Sequence, residues 1–313
     1  MAGHLHRVRS VRCEVMRGRL LGLFVAGLTA IALAQPAMAA TDAHVVRVSK
    51  TSTWKVPSPD PTGIAYNPKK RVFFISDSEV DETGLWRHRN LFIVGRKGGL
   101  IATRRLTKAT MEPEGIAWDA RHGALLAADD DQDAVFRFRP GRDGQMGTND
   151  DKVKKILNTR RFGAYDPEGL DWYGKFKMVI LSDATDGMIY KVRSGRDRRF
   201  GTRDDSVKRF GTIKFGFNDP EGVRFDAVTG HLFIVDSGKK FILETTLGGI
   251  LIRKIGLPFC GAGCHISDLV FAPGTDGSRR RLYLTDRGKD NNPNPDPADY
   301  NDGELYQVRF VTV

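Results

Sequence analysis

Asp166-Pro167-Glu168-Gly169 opens an apolar run, and a further aspartate, Asp183, lies 14 residues beyond its glycine. Three other stretches keep this spacing: Asp60-Pro61-Thr62-Gly63 with Asp77, Glu112-Pro113-Glu114-Gly115 with Asp129, and Asp219-Pro220-Glu221-Gly222 with Asp236. A degenerate fifth copy reads His265-Ile266-Ser267-Asp268, with Asp286 following 18 residues after Asp268. The copies recur at intervals of 52, 54, 53 and 46 residues. Such a period predicts a repeat architecture.

Each repeat contains four short runs with the composition of β-strands. In the second repeat they cover residues 115–118, 124–128, 134–138 and 153–157, each rich in apolar residues and bounded by Gly, Asp, Asn or Pro. After residue 39, no stretch shows a sustained apolar stripe at helical spacing. Four antiparallel strands in about 50 residues are typical of one blade of a β-propeller. The sequence therefore predicts an all-β fold.

The repeat period also sets the number of blades. Residues 41–313 have room for five blades of this length, so we predict a single five-bladed β-propeller domain. The last repeat supplies three strands, at 269–271, 282–285 and 304–310. We expect the N-terminal strand, from residues 45–48 through 54–56, to complete this last blade and remove an open sheet edge.

Residues 1–39 have the features of a signal peptide. A basic stretch precedes an apolar run at 20–33, and Ala37-Met38-Ala39 matches a cleavage site. Removal would lower the net charge from +11 to about +7 and leave no transmembrane segment. We expect an exported protein, periplasmic or extracellular, and a monomer. The remaining cations are spread over several repeats, which indicates solvated strand edges rather than a nucleic-acid surface.

The residue before each repeated glycine is expected to face the central channel. Three carboxylates and two hydroxyls would then converge there, from Thr62, Glu114, Glu168, Glu221 and Ser267. Carboxylates crowded in a poorly solvated place must be protonated or share a cation, and an all-oxygen site suits Ca²⁺. The alternative is that Pro-Glu-Gly serves only as a turn.

The aspartates at the ends of the second strands should return to the same mouth of the channel. We predict that they accept hydrogen bonds from backbone amides of the tight turns. They are Asp77, Asp129, Asp183, Asp236 and Asp286.

Two repeats carry a longer loop of the form Gly-Thr-x-Asp-Asp on the opposite face. Such a loop is either a peripheral Ca²⁺ site or an ordinary long hairpin. Its oxygen-bearing side chains are Asp143, Asn149, Asp150 and Asp151 in one repeat and Asp197, Asp204 and Asp205 in the other. At the mouth, we expect long loops at 78–90 and 289–303 to form a rim that serves either as a lid or as a partner surface.

Two cysteines remain after signal cleavage, Cys260 and Cys264. In an oxidising compartment this pair predicts a local disulfide. His265 follows directly, which leaves haem attachment as an alternative, although that motif has two residues between its cysteines rather than three.

The phrases Glu114-Gly-Ile-Ala-Trp118 and Glu168-Gly-Leu-Asp-Trp172 resemble the blade openings of the SdiA-regulated family of exported propellers, which are distantly related to NHL-repeat proteins. This resemblance implies five blades and a bound calcium, which would map to Glu114, Glu168 and Glu221. A more distant resemblance is to gluconolactonase-like and phytase-like propellers, in which channel calcium polarises a lactone carbonyl or a phosphate ester.

Two functions follow from these observations. The first is an exported calcium-binding propeller that acts as a binding or scaffold module, with a protein or small-molecule partner at the channel mouth. The alternative is a calcium-dependent hydrolase (esterase, lactonase or phosphatase), with Asp219 or His265 as the base that activates water.

Overall fold

The computed structural model describes residues 40–79, 89–289 and 302–313. The predicted signal peptide and most of both predicted rim loops lie outside these ranges. Within them, regular structure consists of strands and single 3-10 turns, and no helix has the length and hydropathy to span a membrane. The strands are β1 (Thr41–Lys50), β2 (Pro61–Asn67), β3 (Val72–Asp77), β4 (Leu91–Gly95), β5 (Leu100–Arg104), β6 (Ile116–Asp119), β7 (Ala124–Asp129), β8 (Ala134–Arg139), β9 (Lys152–Asn158), β10 (Pro167–Tyr173), β11 (Met178–Asp183), β12 (Met188–Arg193), β13 (Ser206–Gly211), β14 (Pro220–Asp226), β15 (His231–Asp236), β16 (Phe241–Thr246), β17 (Leu251–Gly256), β18 (Ile266–Ala272), β19 (Arg281–Asp286) and β20 (Glu304–Thr312).

Consecutive strands within each repeat pair antiparallel. Three sheets have four strands each, in the orders β2-β3-β4-β5, β6-β7-β8-β9 and β10-β11-β12-β13. A fourth sheet has eight strands in the order β14-β15-β16-β17-β1-β20-β19-β18. It consists of two four-stranded sets joined by a short parallel pairing of β1 with β17, at Thr41 with Ile255 and Asp42 with Gly256.

The N-terminal strand extends the sheet that ends the chain. β1 runs antiparallel to β20 from Thr41 opposite Thr312 to Lys50 opposite Glu304. The prediction that this strand continues through residues 54–56 is wrong. A 3-10 turn at Thr51–Thr53 ends it, and the Trp54 indole N–H donates to the Gly98 carbonyl (2.8 Å) instead of continuing the sheet.

The first strands of the sheets lie side by side around a common centre. β2 contacts β6, β6 contacts β10, β10 contacts β14, β14 contacts β18, and β18 contacts β2. The second strands β3, β7 and β11 are buried along their whole length because each lies between neighbouring sheets. The outer strands β9 and β13 are exposed and carry lysine and arginine. This arrangement is a β-propeller.

The repeated glycines allow the backbones of neighbouring first strands to come into direct contact. A Cβ on Gly115 would lie 2.4 Å from the Leu170 nitrogen and 2.5 Å from the Glu168 oxygen. Gly63, Gly169 and Gly222 meet the next first strand in the same way. In the degenerate copy Asp268 takes the place of glycine, and its carboxylate accepts a hydrogen bond from the Ile64 amide (2.9 Å). At this position the Asp268 side chain, rather than a direct backbone contact, joins β18 to β2.

The predicted disulfide between Cys260 and Cys264 is confirmed. Both cysteines are buried in the cluster that holds Leu257, Ile266 and Tyr306. Because the two sulfurs are bonded to each other, neither is available for haem or zinc.

We expect Gly115→Ala to destabilise the protein by about 2 to 3 kcal/mol or more, since both neighbours of the new methyl group are backbone atoms that cannot move aside. Gly99→Ala is the matched control because its Cβ would meet open space. Urea unfolding of the two variants measures the difference. Equal stability would show that the first strands are not packed at backbone distance.

Candidate functional site

One end of the channel collects acidic side chains. The strand pairing places Asp183 opposite Pro167, Asp236 opposite Pro220 and Asp77 opposite Pro61, so the second strands end where the first strands begin. We call this end the acidic mouth and define it by the carboxylates of Glu112, Glu114, Asp130, Asp131, Asp166, Glu168, Asp219 and Glu221.

Glu114, Glu168 and Glu221 lie close enough for their charges to interact. Glu114 and Glu221 are 7% and 4% exposed, and Glu168 retains partial exposure. Burial raises the pKa of Glu114, and the charges of Asp130 and Glu221 raise it further. Burial likewise raises the pKa of Glu168, and Glu114 and Glu221 add to the effect. The three carboxylates therefore oppose one another's ionisation.

Arg287 partly compensates for this negative charge. Its guanidinium lies 3.3 Å from a Glu221 carboxylate oxygen. Burial raises the pKa of Glu221 to about 7, even though the Arg287 charge lowers it. Within the part of the chain that the structure describes, Arg287 is the one cation in an ion pair with these glutamates, so their charge is only partly neutralised.

Thr62 and Ser267 are buried, but their hydroxyl hydrogens are used between strands. Thr62 donates to the Pro113 carbonyl (3.3 Å) and Ser267 donates to the Pro61 carbonyl (2.6 Å). Each hydroxyl thereby joins its first strand to the next. In this structure these two residues help to close the channel wall.

The tightest carboxylate group was missed by the sequence analysis. Among the described residues, the one set of three acidic, histidine or cysteine ligand atoms within 4.8 Å of one another comes from Glu112, Asp130 and Asp131. Glu114, Glu168 and Glu221 lie farther apart than this. Burial raises the pKa of Asp130 to about 6, and its Oδ1 is buried without a hydrogen-bond partner. The signal was available in the run of three aspartates at 129–131.

The second-strand aspartates accept backbone amide hydrogens from nearby loops. The donors lie at 2.7 to 3.1 Å: Asp60 to Asp77, Gln132 to Asp129, Asp166 to Asp183, Asp219 to Asp236, and His265 to Asp286. In four of the five pairs, the donor precedes the first strand of the same repeat. Burial raises the pKa of Asp77 to about 8.

The two candidate bases differ in their relation to the glutamates. Asp219 accepts a hydrogen bond from the Ser237 hydroxyl (3.2 Å), and its charge raises the pKa of Glu221. His265 contributes backbone groups: its amide donates to Asp286, and its carbonyl accepts from the Arg287 amide (3.0 Å). Asp219 is therefore the candidate that lies close to a channel glutamate.

The Gly-Thr-x-Asp-Asp loops use their carboxylates internally. Asp151 accepts from the Gly147 amide (2.8 Å) and Asp205 from the Gly201 amide (2.7 Å). Asp150 and Asp204 each accept from the threonine hydroxyl of the loop and from the amide of Asp143 or Asp197. Asn149 accepts from Arg105. These hydrogen bonds hold each loop in a hairpin conformation.

Arg224 was also missed, and it lies in the centre of the channel. It is 6% exposed, and its guanidinium bonds to all four of the other first strands. The acceptors are the carbonyls of Leu269 (2.8 Å), Ile64 (2.8 Å) and Ile116 (3.4 Å) and the carboxylates of Asp171 (2.9 Å) and Asp268 (3.3 Å). Burial raises the pKa of Asp268 to about 7, although the Arg224 charge lowers it.

The comparisons with known proteins establish the fold. The crystal structure of Myxococcus xanthus glutaminyl cyclase, a propeller-type fold, gives a TM-score of 0.54 at 14% identity over 88% of this chain and 99% of that one. A luciferin-regenerating enzyme gives 0.50 at 11% identity over 84% and 94%. No protein-family model matches the chain, and no curated protein matches it by sequence.

We expect Arg224→Met to cost about 3 to 5 kcal/mol of stability, because it leaves Asp171 and Asp268 buried without their cation. Arg281→Met is the control, since it removes a partly exposed ion pair with Asp276 and should cost less than about 1 kcal/mol. Thermal and urea unfolding compare them.

The two variants should also differ in pH dependence. Without Arg224 the pKa of Asp268 rises further, so the folded state holds more protons than the unfolded state over a wider range. Lowering the pH from 8 to 5 should then stabilise Arg224→Met more than wild type. Similar losses and pH profiles in the two variants would contradict the central role of Arg224.

Proposed function

We propose that this chain is an exported, five-bladed β-propeller that binds Ca²⁺ at its acidic mouth and serves as a binding or scaffold module. The observation that carries the proposal is the convergence of Glu114, Glu168 and Glu221, whose pKa values are all raised above the ordinary range. A cation at this position would remove the mutual repulsion of the three carboxylates.

The strand contacts support five blades. Five first strands follow one another around the centre, and each belongs to a set of four strands once β1 is counted with β18, β19 and β20. We interpret the eight-stranded sheet as two neighbouring blades, because only two residue pairs join its halves at β1 and β17. Five blades also agree with the resemblance to the SdiA-regulated family.

The donor set suits a hard cation. Ca²⁺ accepts six to eight oxygen ligands, including water, and tolerates irregular geometry. Glu114, Glu168 and Glu221 would supply three carboxylates, and water would bridge the distances that the side chains do not span. Thr62 and Ser267 would support the wall rather than bind the ion through their hydrogens. Glu112, Asp130 and Asp131 lie beside this set and add negative charge.

Export is supported by two independent features. The Cys260–Cys264 disulfide is characteristic of oxidising compartments. The signal-peptide pattern of residues 1–39 predicts secretion. We therefore place the protein in the periplasm or outside the cell, with a protein or small-molecule partner at the mouth.

A hydrolase remains the second candidate, because Asp219 lies close to Glu221. In that case the calcium would polarise an ester, lactone or phosphate oxygen, and the Asp219 carboxylate would take a proton from water. The same calcium ion would serve a binding module or a hydrolase. Measured turnover of substrate distinguishes the two functions.

Calcium titration of the chelator-treated mature protein tests the proposal. We expect Glu168→Gln to lower calcium affinity at least about tenfold, because it removes one carboxylate oxygen from the ion. Asp204→Asn, in a loop on the opposite face, is the control and should leave affinity unchanged. If Asp131→Asn abolishes binding and Glu168→Gln does not, the ion belongs to the Glu112, Asp130 and Asp131 group, and the proposed ligand set is wrong.

Turnover is measured on the same samples. Wild type is assayed with ester, lactone and phosphate-ester substrates, with calcium and with chelator. A binding module shows none. Calcium-dependent turnover that is lost in Asp219→Asn while calcium affinity persists would establish the hydrolase.

Calcium affinity should fall as the pH is lowered from 8 to 6, because protons compete for carboxylates such as Glu221, whose pKa is about 7. The stability of the metal-free protein should instead rise as the pH is lowered. A raised carboxyl pKa means that stability is present at low pH and is lost as the pH rises through about 7. The difference in melting temperature between loaded and chelated protein should therefore shrink on acidification. A constant difference would contradict the ligand assignment.

A further inference from the structure

A groove crosses the face of the propeller opposite the acidic mouth. It consists of two adjoining hollows of about 1030 and 360 Å³ that share Phe176, Arg193, Ser194 and Gly195. Its walls come from three successive sheets: the turn between β6 and β7, the turns of β10 to β13, and the turn between β16 and β17. We call it the basic groove.

Positive charge dominates the lining. The cations come from two neighbouring sheets, with Arg121 between β6 and β7 and the others on the strands and turns of β10 to β13: Lys175, Lys177, Lys191, Arg193, Arg196, Arg198 and Lys208. Among the described lining residues the single acidic side chain is Asp204, and its carboxylate already accepts from Thr202 (2.6 Å) and from the Asp197 amide (3.2 Å). Because these side chains share one charge, an anion that reaches several of them is attracted strongly.

The groove also offers apolar and hydroxyl surface. The Phe176 ring is 41% exposed and packs edge-on against Tyr173. The Arg193 guanidinium and the Lys175 ammonium lie 5.5 and 5.7 Å from its centre. Ser194 and Ser206 line the wall between the cations. The lining thus alternates positive charge, hydroxyl groups and an aromatic ring.

We propose that the basic groove binds an acidic polysaccharide, a chain of carboxylated sugars. The guanidinium group matches a carboxylate with two parallel hydrogen bonds. Sugar hydroxyls suit the serines, and the apolar face of a sugar ring suits Phe176. A groove that spans three sheets favours an extended ligand over a compact one. The disulfide and the predicted export place the protein where such polymers occur.

Binding is tested with oligogalacturonate on the mature protein, with neutral dextran, single-stranded DNA and polyglutamate as comparison ligands. We expect oligogalacturonate to bind, with an affinity that falls as salt increases, and dextran not to bind. Arg193→Ala combined with Arg196→Ala should weaken binding at least about tenfold, because hydrogen bonds to charged groups are lost. Phe176→Ala should weaken it severalfold.

The control removes equal charge from the same face outside the groove. Arg139 and Arg142 are exposed and lie beside the loop between β8 and β9. Arg139→Ala combined with Arg142→Ala should leave affinity within about twofold of wild type. The arginine variants should keep the wild-type melting temperature, since the altered side chains are exposed.

Four results would overturn the proposal. They are no binding of oligogalacturonate, equal weakening by the control pair, equal binding of polyglutamate, and tighter binding of single-stranded DNA. Equal binding of polyglutamate would indicate recognition of charge alone. Tighter binding of DNA would indicate a nucleic-acid surface.

Discussion

The hydrogen bonds of Arg224 hold the centre of this propeller. One side chain on β14 donates to groups on β2, β6, β10 and β18, so every first strand is tied to a common point. The glycines at the start of most first strands make this possible, since they let neighbouring backbones meet. The guanidinium in turn depends on two buried carboxylates, Asp171 and Asp268. A buried network of this kind requires all of its partners.

This central packing has a consequence at the mouth. The residues before the glycines must follow the first strands inward, so Glu114, Glu168 and Glu221 are held together whether or not a counterion is present. The strain appears as raised carboxyl pKa values, because burial and mutual repulsion both favour the protonated form. A cation at the mouth would turn this unfavourable arrangement into a binding site. Arg287 neutralises only part of the negative charge of the three glutamates.

The repeats made much of the fold predictable. The strands of the second repeat, the pairing of the N-terminal strand with the end of the chain, and the Cys260–Cys264 disulfide all follow from spacing and composition. The predicted continuation of the N-terminal strand to residue 56 was wrong, because a 3-10 turn follows Lys50 and the Trp54 indole bonds to Gly98. The sequence pattern around residues 51–56 did not indicate that turn.

The missed residues depend on tertiary contacts that the repeat spacing does not show. Arg224 and Asp171 occupy the same place in adjacent repeats, two residues after the glycine, but an arginine in an apolar run does not reveal that it lies at the centre. Glu112 meets Asp130 and Asp131 only through the tertiary fold. The basic groove combines Arg121 with cations of the next sheet, more than 50 residues along the chain, and the sequence does not show that they share one hollow. Tertiary contacts, both within and between repeats, therefore decide the candidate sites.

An anomalous difference map from crystals of the mature protein grown with calcium at pH 8 would show whether the mouth holds the ion. We predict a calcium peak at the mouth, coordinated by Glu114, Glu168 and Glu221. A map without a peak there, or with its peak at the Gly-Thr-x-Asp-Asp loops alone, would show that the three glutamates do not bind calcium and serve only as residues of the channel wall.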